Sequence, residues 1–163
     1  MIDTPGHAKL RHVALGELSK PGNKIKGLIF VLDSADELAK AAEYLHDVLL
    51  AFQKKGGKEK MRVLIACNKN DLFTALPAGR IRTLLEKEIT RIRESRSKGL
   101  MDSGIVGADA MVGDLEDEWL GEGGEGEFKM EMMEEVAVEV AVKGGSVERG
   151  DCEHWRQWVG SCL

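Results

Sequence analysis

The chain has 163 residues, enough for one domain with a core of its own. Its 43% hydrophobic and 31% charged residues are those of a soluble globular protein. A net charge of −5 without a basic face speaks against a direct nucleic-acid partner, and no window approaches the roughly 18 apolar residues of a membrane span. No signal peptide opens the chain, and the three cysteines, Cys67, Cys152 and Cys162, point to a reducing compartment rather than a disulfide framework. Cys152, His154 and Cys162 lack a fourth metal ligand and sit beside two tryptophans, so packing is the favoured role.

The first residues are Met1-Ile2-Asp3-Thr4-Pro5-Gly6-His7. Asp-x-x-Gly is the second phosphate-side motif of GTPases. The Asp holds magnesium through a water, and the Gly amide can approach a γ-phosphate because no Cβ intervenes. On that pattern Asp3 serves the metal, Gly6 the phosphate, and His7 takes the place of the residue that orients the attacking water. Without a partner motif, His7 would be an ordinary turn histidine.

Leu10, Val13 and Ala14 predict a short helix over residues 8–18, and Ser19 to Asn23 a loop. Gly27 to Asp33 is a continuous apolar run, which suits a parallel strand covered on both faces. Ser34 and Glu37 have capping-box spacing for a helix with Leu38, Ala41, Ala42, Leu45, Leu49 and Phe52 on one face. Lys54 and Lys55 occupy its last turn, and Gly56-Gly57 stop it.

A second apolar strand, Arg62 to Cys67, leads into Asn68-Lys69-Asn70-Asp71. Asn-Lys-x-Asp after a buried strand is how such folds read guanine. The ring N1–H and the exocyclic amine form a pair of donors that one carboxylate, here Asp71, can accept together. Adenine offers no such pair. Asn68 ties the loop to its neighbours, and the Lys69 stem covers a ring face. Taken alone the motif is weak, because these residues are common in turns after strands.

Pro77 opens a helix with Ile81, Leu84, Leu85, Ile89 and Ile92 as its buried stripe, and Gly99 is expected to end it. Residues 95–127 change from basic and small to acidic and Gly-rich, which predicts a flexible insertion that contributes little to the core. Phe128, Met130 and Met132 alternate as a short edge strand would. Val136, Val138, Val140 and Val142 alternate with Ala137, Glu139 and Ala141 as a last strand at the sheet edge. Asp151 then caps a closing helix with Trp155, Trp158, Val159 and Cys162 on one face.

Strand–helix alternation gives an α/β fold with a parallel sheet, of the P-loop NTPase (small GTPase) type, with helices on both faces. Two motifs, each at the carboxyl end of a predicted strand, lie where such sheets bind ligands. The third guanine-side element, normally Ser-Ala-Lys, has Ala141-Val142-Lys143 in its place.

In Asp3-Thr4-Pro5-Gly6-His7, the following Leu10-Arg11, the Trp-rich closing helix and the Lys143-Gly144-Gly145 tail, the chain resembles the beta subunit of the signal recognition particle receptor. That subunit is an Arf/Sar-like small GTPase, and the long insertion is like that of fungal members. The resemblance implies GTP and Mg2+ as ligands. Asp3 would serve the magnesium shell, Gly6 the γ-phosphate and His7 the catalytic water. Asn68, Lys69 and Asp71 would bind guanine, helped by Val142 and Lys143. It also implies the receptor alpha subunit as partner, at the cytoplasmic face of the endoplasmic reticulum membrane, in cotranslational protein targeting.

Gly-x-x-x-x-Gly-Lys-Ser/Thr occurs nowhere in the 163 residues, and neither do a membrane helix and a switch Thr for magnesium. The expectation is therefore one partial small-GTPase domain over 1–163 that lacks the N-terminal P-loop half. Its parts are a switch segment at 3–20, a guanine-reading loop at 68–71, the insertion at about 95–127, and a last strand and helix at 135–163. Such a chain, soluble rather than membrane-spanning, would bind GTP poorly or not at all, be molten, aggregated or partner-dependent in isolation, and show an open groove beside Leu28–Leu32. The alternatives are a nucleotide-independent scaffold or non-functional fragment, and another Arf-like or translational GTPase with true turnover.

Overall fold

A computed structural model describes residues 2–4, 6–20, 25–55, 60–102, 120–121 and 126–163, the side chains of residues 8 and 97–102 excepted. The element order is α1 (Arg11–Ser19), β1 (Leu28–Asp33), α2 (Leu38–Lys55), β2 (Met61–Asn68), α3 (Ala78–Asp102), β3 (Val138–Gly144) and α4 (Glu153–Cys162). Short 3-10 turns cover Ala8–Leu10 and Met130–Glu134.

β2 is the middle strand, paired in parallel with β1 on one side and β3 on the other. Phe30 lies opposite Ile65 in the first pairing, and Ile65 lies opposite Val142 in the second. Alternate residues of β2 therefore serve two cores. Val63, Ile65 and Cys67 face the larger one with α2 and α3. Leu64 and Ala66 face Trp158, Trp155 and Cys162 of α4. Burial on both faces is why this strand reads as an unbroken apolar run. Burial also pushes the Cys67 thiol up to about 11, so it is a packing residue and not a nucleophile. Gly27 fits beneath α4 because it has no side chain: a Cβ there would come within 2.9 Å of the Trp158 ring.

α2 buries Leu38, Ala42, Leu45, Val48, Leu49 and Phe52, and α3 buries Ile81, Leu85 and Ile89, at helical spacing in both cases. Four local expectations are corrected. The Ser34 capping box does not form: α2 starts at Leu38, and its approach is held by the Asp33 and Asp36 carboxylates, which accept from the Ala35 and Glu37 amides at 2.9 and 2.7 Å. The first helix buries Ala14 and Leu18, while Leu10 and Val13 face solvent. α3 continues through Gly99 to Asp102. Cys152, not Asp151, is the N-cap residue of α4.

The expected edge strand at 128–132 is instead an extended entry into a 3-10 turn. Met130 and Met133, three apart as that turn requires, are buried with Phe128. Thr90 Oγ1 accepts from the Phe128 amide at 2.8 Å. The buried Glu86 carboxylate accepts from Arg82 and the Met130 amide, both at 3.2 Å, and from Lys129 at 3.4 Å. Most of the 95–127 insertion lies outside the described residues. Leu120, however, is fully buried, and the Gln53 side chain accepts from the Gly121 amide at 2.8 Å. Part of the segment expected to contribute little thus belongs to the core.

α4 packs chiefly on β2 and β3. Ile29 and Val31, on the α4 side of β1, are 45% and 61% exposed. A groove of about 450 Å³ runs along this strand, with Ile2, Asp3, Thr4 and Gly6 on one wall and Tyr44, Lys40 and Val48 of α2 on another. It lies where the sequence places an open groove, beside Leu28–Leu32.

Truncating Leu120 to Ala should cost about 2–5 kcal/mol, because it empties a closed site. Ile29→Ala, on the exposed edge, should cost less than about 1 kcal/mol. Urea midpoints at equal m-value check both.

Candidate functional site

The carboxyl ends of β1, β2 and β3 meet at one rim, and the Asn68–Asp71 loop sits in its middle. Asn68 closes β2 and is engaged on both sides. Its carbonyl accepts from the Ser34 amide at 2.9 Å, and its side-chain oxygen accepts from the Val147 amide at 3.1 Å. Lys69 then adopts φ 61°, a left-handed conformation uncommon for a residue with a side chain. This bend lets the Asn70 amide donate to Gly145 at 3.0 Å and the Leu72 amide donate back to Lys69 at 3.1 Å. Gly144 allows the close approach, since a Cβ there would lie 3.2 Å from the side-chain nitrogen Nδ2 of Asn70.

The two charges of the loop are both paired. The Lys69 ammonium reaches the Asp33 carboxylate at 2.5 Å. Lys69 and the Ala35 amide hold the Asp33 carboxyl below the usual carboxylate range, and the same contact raises the Lys69 ammonium above its ordinary value. Asp71 is largely covered. The Ser146 hydroxyl first, then the Asp71 backbone amide and the Arg149 guanidinium, keep its carboxyl below the usual range, with Arg149 Nε at 3.5 Å. Its charge is therefore fixed at neutral pH, as acceptance from two N–H donors demands.

Ser146 and Arg149 were missed by sequence reasoning. Val142 and Lys143, the residues expected beside the base, lie lower: Val142 opposite Ile65 within β3, and Lys143 opposite Ala66. The segment that meets the Asn68–Asp71 loop is Gly144 to Arg149. A Gly-Gly-Ser immediately after a predicted edge strand was the available signal.

Asp3 and Gly6, the residues expected on the phosphate side, are exposed on the groove wall. A Cβ placed on Gly6 would meet nothing within 4 Å, so space for an approaching ligand exists there. His7 caps the 3-10 turn, its Nδ1 accepting from the Lys9 amide at 3.3 Å, which puts the proton of the neutral ring on Nε2. Asp33 joins the two halves: it lines the groove with Asp3 and Gly6, while its carboxylate holds Lys69. No group of three or more His, Cys, Asp or Glu able to hold a metal occurs among the described residues. Asp3 alone is compatible with the outer shell of a magnesium ion whose other oxygens come from phosphates and water.

The Asp33–Lys69 contact has a defined pH window. Asp33 is depressed, so its contribution is present above the ordinary carboxylate value and is lost as pH falls through its lower folded value. Lys69 is raised, so its contribution is present below its ordinary value and is lost as pH rises through a higher one. Carbon-detected titration of Asp33 should show a midpoint below 3.8, returning toward 3.8 in Lys69→Met.

Comparison with known proteins bears on this site. Residues 1–137 match the family model described as signal recognition particle receptor beta subunit. The signal recognition particle receptor subunit beta of Saccharomyces cerevisiae is 33% identical over 164 residues, covering 98% of this chain and 64% of that protein. The chain thus spans a little under two thirds of that relative. Two solved structures from Chaetomium thermophilum are similar. The signal recognition particle receptor SRb–GDP–Mg structure has a TM-score of 0.79 at 39% identity, covering 99% of this chain and 79% of its own. The SRb–GTP/SRX complex has a TM-score of 0.79 at 36% identity, covering 99% and 66%.

Proposed function

Since this chain belongs to the signal recognition particle receptor beta subunit family, we propose that its Asn68–Asp71 loop binds the guanine of GTP or GDP. The observation that carries this reading is the Asp71 carboxylate, charged, largely covered and held by Ser146 at the rim where three parallel strands end. An acceptor in that position pairs with the N1–H and amino group of guanine, and the Lys69 stem lies alongside for a ring face. Asp3 and Gly6 extend the site along the groove toward magnesium and the γ-phosphate. The solved relatives named with GDP, magnesium and GTP support both ligands. His7 is the proposed water-positioning residue, its Nε2 being the ring nitrogen not used by the Lys9 amide.

In this reading bound nucleotide serves to hold a partner. The neighbour solved as an SRb–GTP/SRX complex supports the receptor alpha subunit as that partner. The exposed Leu10, just before α1, and Val13 within it follow Asp3 to His7 closely and offer an apolar surface next to the phosphate side. The assembly would act at the cytoplasmic face of the endoplasmic reticulum in protein targeting. Among the described residues no helix is long and apolar enough to cross a membrane.

Changing Asp71 to Asn exchanges an acceptor for a donor at one position. Affinity for GDP should fall by about tenfold or more while that for XDP rises, because each mismatched pair leaves a polar group without a partner. Calorimetric titration of both chains with GDP and XDP measures it. An unchanged preference for GDP would count against Asp71 as the base-reading residue.

A further inference from the structure

We infer that the Val147–Gly150 turn is a built-in latch on the base-reading loop, in which the Arg149 guanidinium occupies Asp71 until guanine displaces it. The inference rests on the proposed guanine-binding role of Asp71.

The turn matches the loop residue by residue. The Val147 amide donates to the Asn68 side chain at 3.1 Å. Glu148 lies within Coulombic reach of Lys69. Arg149 Nε stands 3.5 Å from Asp71 Oδ2. The order amide, anion, cation along the turn thus complements amide, cation, anion along Asn68, Lys69 and Asp71.

The turn is also built to hold that position. Ser146 and Asp151 form an antiparallel bridge, with the Ser146 amide donating to Asp151 at 2.9 Å. The Gly150 amide donates to Val147 at 3.2 Å, and Gly150 has φ 72°, the left-handed value that closes so short a connection. The Arg149 amide donates to the Ser146 hydroxyl at 3.2 Å, so the hydroxyl beside Asp71 also anchors the latch. Beneath it, Gly145 is pressed against Asp151 and Trp155: a Cβ there would lie 2.5 Å from the Asp151 carbonyl. Residues 145–151 therefore form a tab fixed on α4 through its backbone, from which the Arg149 side chain projects into solvent.

The chemistry explains why guanine can displace it. A guanidinium presents N–H donors in one plane, as the Watson–Crick edge of guanine does, so both satisfy the same carboxylate. The contact at 3.5 Å is an ion pair without a tight hydrogen bond, and the Arg149 side chain is 72% exposed. Swinging it into water costs little. Adenine, lacking the donor pair, gains nothing from Asp71 and has no cause to displace the guanidinium, so the latch sets a threshold for guanine alone.

The test uses the 163-residue chain and its Arg149→Ala and Arg149→Lys variants, with guanosine, xanthosine and adenosine at millimolar concentration as probes. NMR reads the base affinities and the Asp71 carboxyl titration. Removing the latch should tighten guanosine binding by about two- to fivefold, the scale of an exposed ion pair. Adenosine should gain nothing, and the Asp71 midpoint should rise. Arg149→Lys, keeping the charge without the planar fork, should fall between. Weaker guanosine binding in Arg149→Ala, equal gains for adenosine, or an unmoved Asp71 midpoint would each overturn the latch. If no chain discriminates guanosine from adenosine, the guanine-binding role of Asp71 fails, and the displacement step with it. A moved Asp71 midpoint would then show that the ion pair exists without that function.

Discussion

The whole molecule depends on β2 being paired in parallel on both sides. A parallel pair cannot be closed by a tight turn, so each neighbour requires a crossover, and the crossovers place α2 and α3 over one face of the sheet. The same requirement brings all three carboxyl ends to one rim. Val63 to Cys67 are buried without a break, and at roughly 1.5–3 kcal/mol for each large apolar side chain that strand contributes heavily to a domain of marginal net stability. The loop that leaves it inherits a rigid base, and so do the residues proposed to read guanine.

At the rim the backbone accounts for itself through neighbours far away in sequence. Asn68 bonds to Ser34 on one side and Val147 on the other, and Asn70 bonds to Gly145. These bonds impose the left-handed bend at Lys69, a local cost sustained because the surroundings leave no other path. The charges follow the same logic. Asp33, Lys69, Asp71 and Arg149 are placed by three different strand ends and meet as two pairs, Asp33 with Lys69 and Asp71 with Arg149, so the site is polarised before any ligand arrives.

β1 stands in contrast. Its inner side chains, Phe30 and Leu32, are buried under α2, while Ile29 and Val31 face the groove shared with Asp3 and Gly6. An apolar edge with free backbone groups readily receives a further extended segment. The two halves of the proposed site therefore differ in kind: the Asn68–Asp71 side is closed by the Ser146–Asp151 turn, and the Asp3–Gly6 side is an open wall.

Much of this was legible in the residues. The apolar runs at 28–32 and 62–67, the helical spacing of Leu45, Leu49 and Phe52, and the Asn68–Asp71 and Asp3–Gly6 motifs all carry their meaning within a few positions, because strand and helix periods and local motifs are properties of short segments. The misreadings came where the decision was not local. Phe128, Met130 and Met132 alternate like a strand, yet the anchorage of Phe128 to Thr90 and of Met130 to Glu86 selects a 3-10 turn. Leu120 lies in a stretch whose composition buries little, and only its seat in the core shows otherwise. Ser146 and Arg149 are far from Asp71 in the chain. The register of β3 on β2, with Gly144 opposite Cys67, is what carries the next residues to that carboxylate. Sequence alone determined which segments would be buried and which loop follows the central strand with the carboxylate proposed to read guanine. Tertiary structure decided what that carboxylate meets, because register and turn closure are set by pairing between strands and by no strand alone.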